Sequence, residues 1–142
     1  MRLIGFNFNK ISIEKKAEEL SSDLKIKSNL DVLSIEKIDI GLSKEKEESL
    51  LVKFSYIINY DPNIAVIDLN GLIIISLDSK IAKDLLQKWK KKTIPEEIRV
   101  SLFNIILRKV NVKALELEDE MNLPLHVPLP RIKGENTPQD KA

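Results

Sequence analysis

The chain contains no cysteine. That removes disulfide cross-links, thiolate metal sites and cysteine nucleophiles together. Its four glycines are scattered, so no glycine-rich phosphate loop can be assembled. Histidine occurs once, as His126, so a metal centre would have to come almost entirely from carboxylates, and none is expected. No run approaches the roughly 18 consecutive apolar residues of a spanning helix. The segment Met1-Arg2-Leu3-Ile4-Gly5-Phe6-Asn7-Phe8-Asn9-Lys10 lacks the unbroken apolar core of a secretion signal. The expected location is therefore the cytoplasm, without membrane insertion. Neither sign of charge dominates, with 23 Lys and Arg against 22 Asp and Glu, which denies the chain a nucleic-acid binder's overall excess.

What remains is aliphatic. Twenty isoleucines and twenty leucines stand against seven valines, five alanines and seven aromatics. At 142 residues one domain is expected, able to bury roughly 68% of the surface its unfolded chain exposes.

The first half reads as strands. Ile4, Phe6 and Phe8 alternate, then Ile11 and Ile13 continue in the opposite phase, which predicts a strand with a bulge or change of face near Asn9. Glu14 to Leu20 reads as a short helical turn or loop. Leu24, Ile26, Leu30 and Val32 share one parity, Leu33 and Ile35 the other, and Ile38 and Ile40 the first again, as in a long bent strand. After a charged connection, Gly41 to Ser49, the alternation of Val52, Phe54, Tyr56, Ile58 and Tyr60 marks the clearest strand. Asp61-Pro62-Asn63 is a turn by its chemistry. Ile64 to Leu77 contains Asn70-Gly71, which suits a tight hairpin. The same segment also reads as one buried strand with a glycine-marked bulge, because Ile73, Ile74 and Ile75 leave neither face polar.

Two helices follow. Asp78 or Ser79 can cap the first, whose Ile81, Leu85 and Trp89 form one stripe. Thr93-Ile94-Pro95-Glu96 reads as a capping box opening a second helix that extends towards Met121, about 28 residues or ~42 Å. From Ile98 to Val110 that helix is apolar on more sides than one core-facing stripe requires. It runs into Asn122-Leu123-Pro124-Leu125-His126-Val127-Pro128-Leu129-Pro130. Residues 1–132 are expected to form the single domain and 133–142 a disordered tail.

Three clusters invite chemical readings, and each has a plainer one. Lys80 to Lys92 holds six lysines around Trp89, which could neutralise phosphates and stack on a base. Trp89 in register with Ile81 and Leu85 favours a core anchor with solvated lysines behind it. His126 has no visible nucleophile or acid to serve, so it is expected at the surface or in packing. Glu116, Glu118, Asp119 and Glu120 lack the spacing and glycine of a calcium loop and read as a solvated helix face. Asp68 is the carboxylate expected to be partly buried. No catalytic constellation is present, so an enzyme is not expected.

The order of elements, with Val66-Ile67-Asp68-Leu69-Asn70-Gly71-Leu72-Ile73, Pro95, Leu102-Phe103, Leu123-Pro124 and Leu129-Pro130, resembles the SecB export-chaperone family and its archaeal and toxin-associated relatives. The resemblance spans roughly residues 1 to 132. It implies an α+β fold, a four-stranded antiparallel sheet followed by two helices packed on one side, with Asn70-Gly71 as a bulge inside one strand. It implies a homo-oligomer, tetramer or dimer, with Ile98, Leu102, Ile105, Ile106 and Val110 as candidate interface residues.

The activity it implies is ATP-independent holding of unfolded or nascent polypeptides in apolar grooves, without cofactor. Phe54, Tyr56, Tyr60, Trp89 and Phe103 are the candidates for lining them. Pro95-Glu96-Glu97-Ile98-Arg99-Val100 departs from the aromatic-rich stretch of the bacterial members, and the strands lack their acidic face, so the resemblance leaves a link to protein transport open and fits a general holdase or a dedicated chaperone of one client better. The rival readings are an RNA- or ribosome-associated factor using Lys80 to Lys92, and a structural subunit of a larger complex.

Overall fold

A computed structural model describes residues 1–20, 22–41 and 46–134. Four strands, β1 (Arg2–Lys15), β2 (Lys25–Ile38), β3 (Glu47–Asp61) and β4 (Ala65–Asp78), precede α1 (Ser79–Trp89) and α2 (Glu96–Glu120). All pairings are antiparallel, in the order β1-β4-β3-β2, so β1 and β2 are the edges. The α+β sheet-then-helices architecture expected from the sequence is the one observed.

The phase flips near Asn9 and at Leu33 are bulges, whereas the return at Ile38 is not, because β2 pairs with β3 without a break from Ser34 to Ile38. β1 skips a partner between Phe8 and Lys10, leaving Asn9 as the extra residue, and β2 does so between Val32 and Ser34, at Leu33. Asn70-Gly71 is neither a hairpin nor itself bulged. β4 runs unbroken from Ala65 to Asp78 and stays in register with β3, while the irregularity lies opposite, in β1. Gly71 is required by packing. A Cβ there would sit 2.5 Å from the Asn7 carbonyl oxygen and 2.7 Å from Cζ of Phe54.

Other expectations shift by a few residues. β1 continues to Lys15, and Lys16 and Ala17 then donate their backbone N–H groups to the Ile64 carbonyl, a loop rather than a helical turn. β3 begins at Glu47, inside the expected charged connection, because the Glu47 carboxylate accepts from Arg2 and Ser76 across the sheet; residues 42–45 of that connection lie outside the described residues. The Asp61-Pro62 bond is cis, and Asn63 adopts the left-handed conformation before β4.

Asp78 caps α1 through its bond from the Lys80 N–H. The buried residues of α1 are Ala82 and Leu85, with Trp89 partly buried; Ile81 is half exposed, so the core stripe is rotated from the expected one. The Thr93 capping box does not form. Thr93 donates its N–H to the Lys88 carbonyl in the closing turn of α1, with Lys92 left-handed at φ 58, and Pro95 takes the N-cap position of α2. At 25 residues, α2 is about 38 Å long.

The core lies between one sheet face and the helices. β3 and β4 contribute Val52, Phe54, Ile58, Ile67, Leu69 and Ile73, all with no exposed surface. From α2 comes a stripe at every fourth position: Leu102, Ile106, Val110, Ala114 and Glu118. Phe6, Phe8 and Phe54 cluster beneath, with ring centroids 5.1 to 6.5 Å apart. The last described residue is 134; the expected tail from 135 onward lies outside the description.

Candidate functional site

Edge strand β2, the end of α1 and the start of α2 enclose an open groove of about 390 Å³. Leu30 and Val32 form its floor on the strand side. Trp89, Ile94 and Phe103 form the helix side, with Asp31, Lys92 and Arg99 at the rim. The local folding explains this arrangement. Trp89 closes α1, the tight turn at Lys92 reverses the chain, and Phe103 lies two turns into α2 on the flank of the Leu102–Ile106 stripe facing β2. The Lys92 ammonium lies 4.5 Å from the Trp89 ring centroid, and the Arg99 guanidinium 5.9 Å from that of Phe103.

Of the five aromatics expected to line a groove, only Trp89 and Phe103 are brought together at one. Phe54 and Tyr60 have no exposed surface and Tyr56 retains 3%. Their strand face is the one the helices cover. Among the expected interface residues, Leu102, Ile106 and Val110 are likewise wholly buried against this chain's own sheet and have no surface left for a second subunit. Ile98 and Ile105 are partly buried on the flanks, and the exposed apolar positions of α2 are Val100 and Val112.

A second feature escaped sequence reasoning. The segment after α2 turns back along the helix and is tied down by a buried polar network. Asn122, left-handed at φ 53, begins the reversal, with the Leu123 N–H bonded to the Glu118 carbonyl and the Asn122 N–H to that of Asp119. Glu118 has a fully buried side chain. Its carboxylate accepts from the His126 backbone N–H at 3.2 Å and lies 2.9 Å from His126 Nδ1. The Tyr60 hydroxyl faces two acceptors at 2.6 Å, Glu118 Oε2 and the Pro124 carbonyl. His126 Nε2 lies 2.8 Å from Asn111 Oδ1, which also accepts from the Tyr56 hydroxyl.

Burial pushes the Tyr60 phenol well above its ordinary pKa, reinforced by the hydrogen bond to Glu118 and by its charge. Burial also raises Tyr56; a side-chain bond with Ser28 opposes this and the Glu118 charge adds to it. The His126 side chain is only 2% exposed, so the network is closed to solutes and serves as a fastening. His126 and Glu118 are therefore not surface residues. Two signals were available: Glu118 continues the every-fourth-residue stripe of Leu102 to Ala114, and a lone histidine between prolines needs partners if it packs. The other members of the acidic cluster are exposed or nearly so, as expected of a solvated face. Asp68 is partly buried and pairs with Lys10 at 2.7 Å.

Among the described residues no group of histidine and carboxylate side chains is placed to hold a metal ion, and no helix is long and apolar enough to cross a membrane.

No family model matches the chain, and no curated protein matches its sequence. Among solved structures, it is similar to the Rv1957 SecB-like chaperone of Mycobacterium tuberculosis, determined in complex with a ChAD peptide from the HigA1 antitoxin. The TM-score is 0.52 over 93% of this chain and 87% of that one, at 11% identity. At that identity the likeness establishes a SecB-like fold.

Proposed function

We propose that this chain is a non-enzymatic, ATP-independent holdase of the SecB-like type, which binds unfolded or nascent polypeptides through the groove between Trp89 and Phe103. The observation that carries the reading is that groove. Two large aromatics and three aliphatic side chains stand half open beside a free sheet edge. Apolar burial is non-directional and tolerates many sequences, while an edge strand offers backbone hydrogen bonds to any extended chain. The peptide-bound state of the similar mycobacterial chaperone fits such a partner.

In this reading the protein works in the cytoplasm as a dimer or tetramer, with Ile98, Ile105 and the exposed Val100 as the remaining apolar candidates for subunit contact. Light scattering coupled to size exclusion, with and without a reduced unfolded client, tests it. An oligomer that co-elutes with the client supports the proposal. A monomer that leaves the client to aggregate sinks it.

A further inference from the structure

We propose that the preferred occupant of the Trp89–Phe103 groove is an extended polypeptide whose apolar anchors are flanked by carboxylates, lying along the free edge of β2. The proposal rests on the holdase reading and names the client chemistry of that same site.

Three observations point to it. First, the rim is asymmetric in charge. Lys92 and Arg99 stand on the helix side, and no carboxylate of the described residues lies within ion-pair distance of either. Lys88, Lys90 and Lys91 extend the positive field beside them; Lys88 pairs with Asp84 at 3.3 Å. The single acidic group of the lining, Asp31, already accepts from the Asn29 side-chain amide at 2.9 Å. Glu96 and Glu97 open α2 but line the neighbouring cleft with Ile81 and Ile98.

Second, Lys92 occupies a left-handed position at φ 58, where glycine would be unstrained, and its ammonium is directed over the Trp89 ring. Each cation thus covers one of the two aromatics that would receive an apolar anchor. A residue entering beside either ring meets a positive charge within a few ångströms.

Third, β2 is an outer strand, so its outward N–H and C=O groups are available to a chain running alongside Leu30-Asp31-Val32. On such a chain every second side chain faces the helix layer, so carboxylates two residues before or after an anchor share its face. Those carboxylates fall beside Lys92 and Arg99, where they are attracted and lysines are repelled.

Trp89 is the only tryptophan and reports occupancy directly. The experiment titrates the full chain with two tryptophan-free peptides sharing one leucine- and valine-rich core, one flanked by aspartates and the other by lysines. The acidic peptide should bind about tenfold more tightly at low salt, from two attractive contacts exchanged for two repulsive ones. The difference should shrink at roughly 0.5 M salt. In the variant carrying Lys92→Glu and Arg99→Glu the preference should reverse, with thermal unfolding confirming that the variant is folded.

Equal binding of both peptides, a basic preference, or an acidic preference that survives the charge reversal overturns the proposal while leaving the holdase reading intact. Binding of neither peptide together with failure to protect an unfolded client overturns both. A single-stranded oligonucleotide that quenches Trp89 more strongly than the acidic peptide also overturns it, and assigns the basic rim to nucleic acid.

Discussion

Replacing Glu118 by alanine tests the fastening of the proline-containing segment. The carboxylate is fully buried and receives the backbone N–H of His126, the His126 ring and the Tyr60 hydroxyl. Tyr60 keeps the Pro124 carbonyl as acceptor in the variant. The His126 backbone N–H and ring Nδ1 lose their acceptor, while ring Nε2 keeps Asn111 Oδ1 at 2.8 Å. A buried donor left unmade costs about 1–3 kcal/mol, so the loss should be roughly 2–5 kcal/mol. For a chain of this size that lowers Tm by roughly 6–15 °C.

Glu116→Ala is the matched control: it removes an exposed carboxylate two residues away whose ion pair with Lys113 faces solvent, and should change stability by less than ~1 kcal/mol. His126→Ala combined with Glu118→Ala should cost less than the sum of the two by about 1–3 kcal/mol, since each removes the other's partner. Urea and thermal unfolding followed by circular dichroism measure all five proteins, the wild type and His126→Ala included. If Glu118→Ala is no more destabilising than Glu116→Ala, the network does not hold the segment.

Two further predictions concern the sheet and its tyrosines. Gly71→Ala should destabilise by about 1–3 kcal/mol, because the new methyl meets the Asn7 carbonyl and the Phe54 ring. Alanine would otherwise be the better strand residue, so an unchanged or raised Tm contradicts the packing assigned to Gly71. Tyr56 and Tyr60 have raised folded-state pKa values, so below pH 10 both folded and unfolded states keep the phenolic protons and stability is insensitive to them. Above pH 10 the unfolded chain releases protons that the folded chain retains, and stability falls by about 1.4 kcal/mol per pH unit for each tyrosine. Phenolate absorbance should therefore appear together with loss of the circular dichroism signal. Ionisation of either tyrosine near pH 10 in a folded chain would show that it is not buried.

Periodicity carried most of the fold. The alternation of Val52 to Tyr60 and the phase flips at Asn9 and Leu33 are local consequences of a two-residue repeat, and each appears in the structure as strand or bulge. Asn70-Gly71 was ambiguous because a tight turn and a close approach both demand glycine. The Phe54 ring and Asn7 carbonyl that decide between them lie far away in sequence. Thr93 looked like a helix cap because its spacing to Glu96 is right, but α1 had already engaged its backbone.

The groove was half legible. Trp89 and Phe103 could be named as aromatics near the surplus apolar surface, yet a strand's alternation cannot say which face helices will cover, and so could not remove Phe54, Tyr56 and Tyr60. The His126–Glu118 fastening needs the chain to reverse along α2, a long-range event. Only the stripe position of Glu118 hinted at it.

Holding of unfolded chains by the Trp89–Phe103 groove is tested most directly by the aggregation of a heat- or reduction-unfolded client monitored by light scattering. The wild-type chain should suppress aggregation without ATP, and Phe103→Asp, at a half-buried position outside the core stripe, should lose most of that protection while keeping its fold by circular dichroism. Full protection by a folded Phe103→Asp protein, or none by the wild type, would contradict the account.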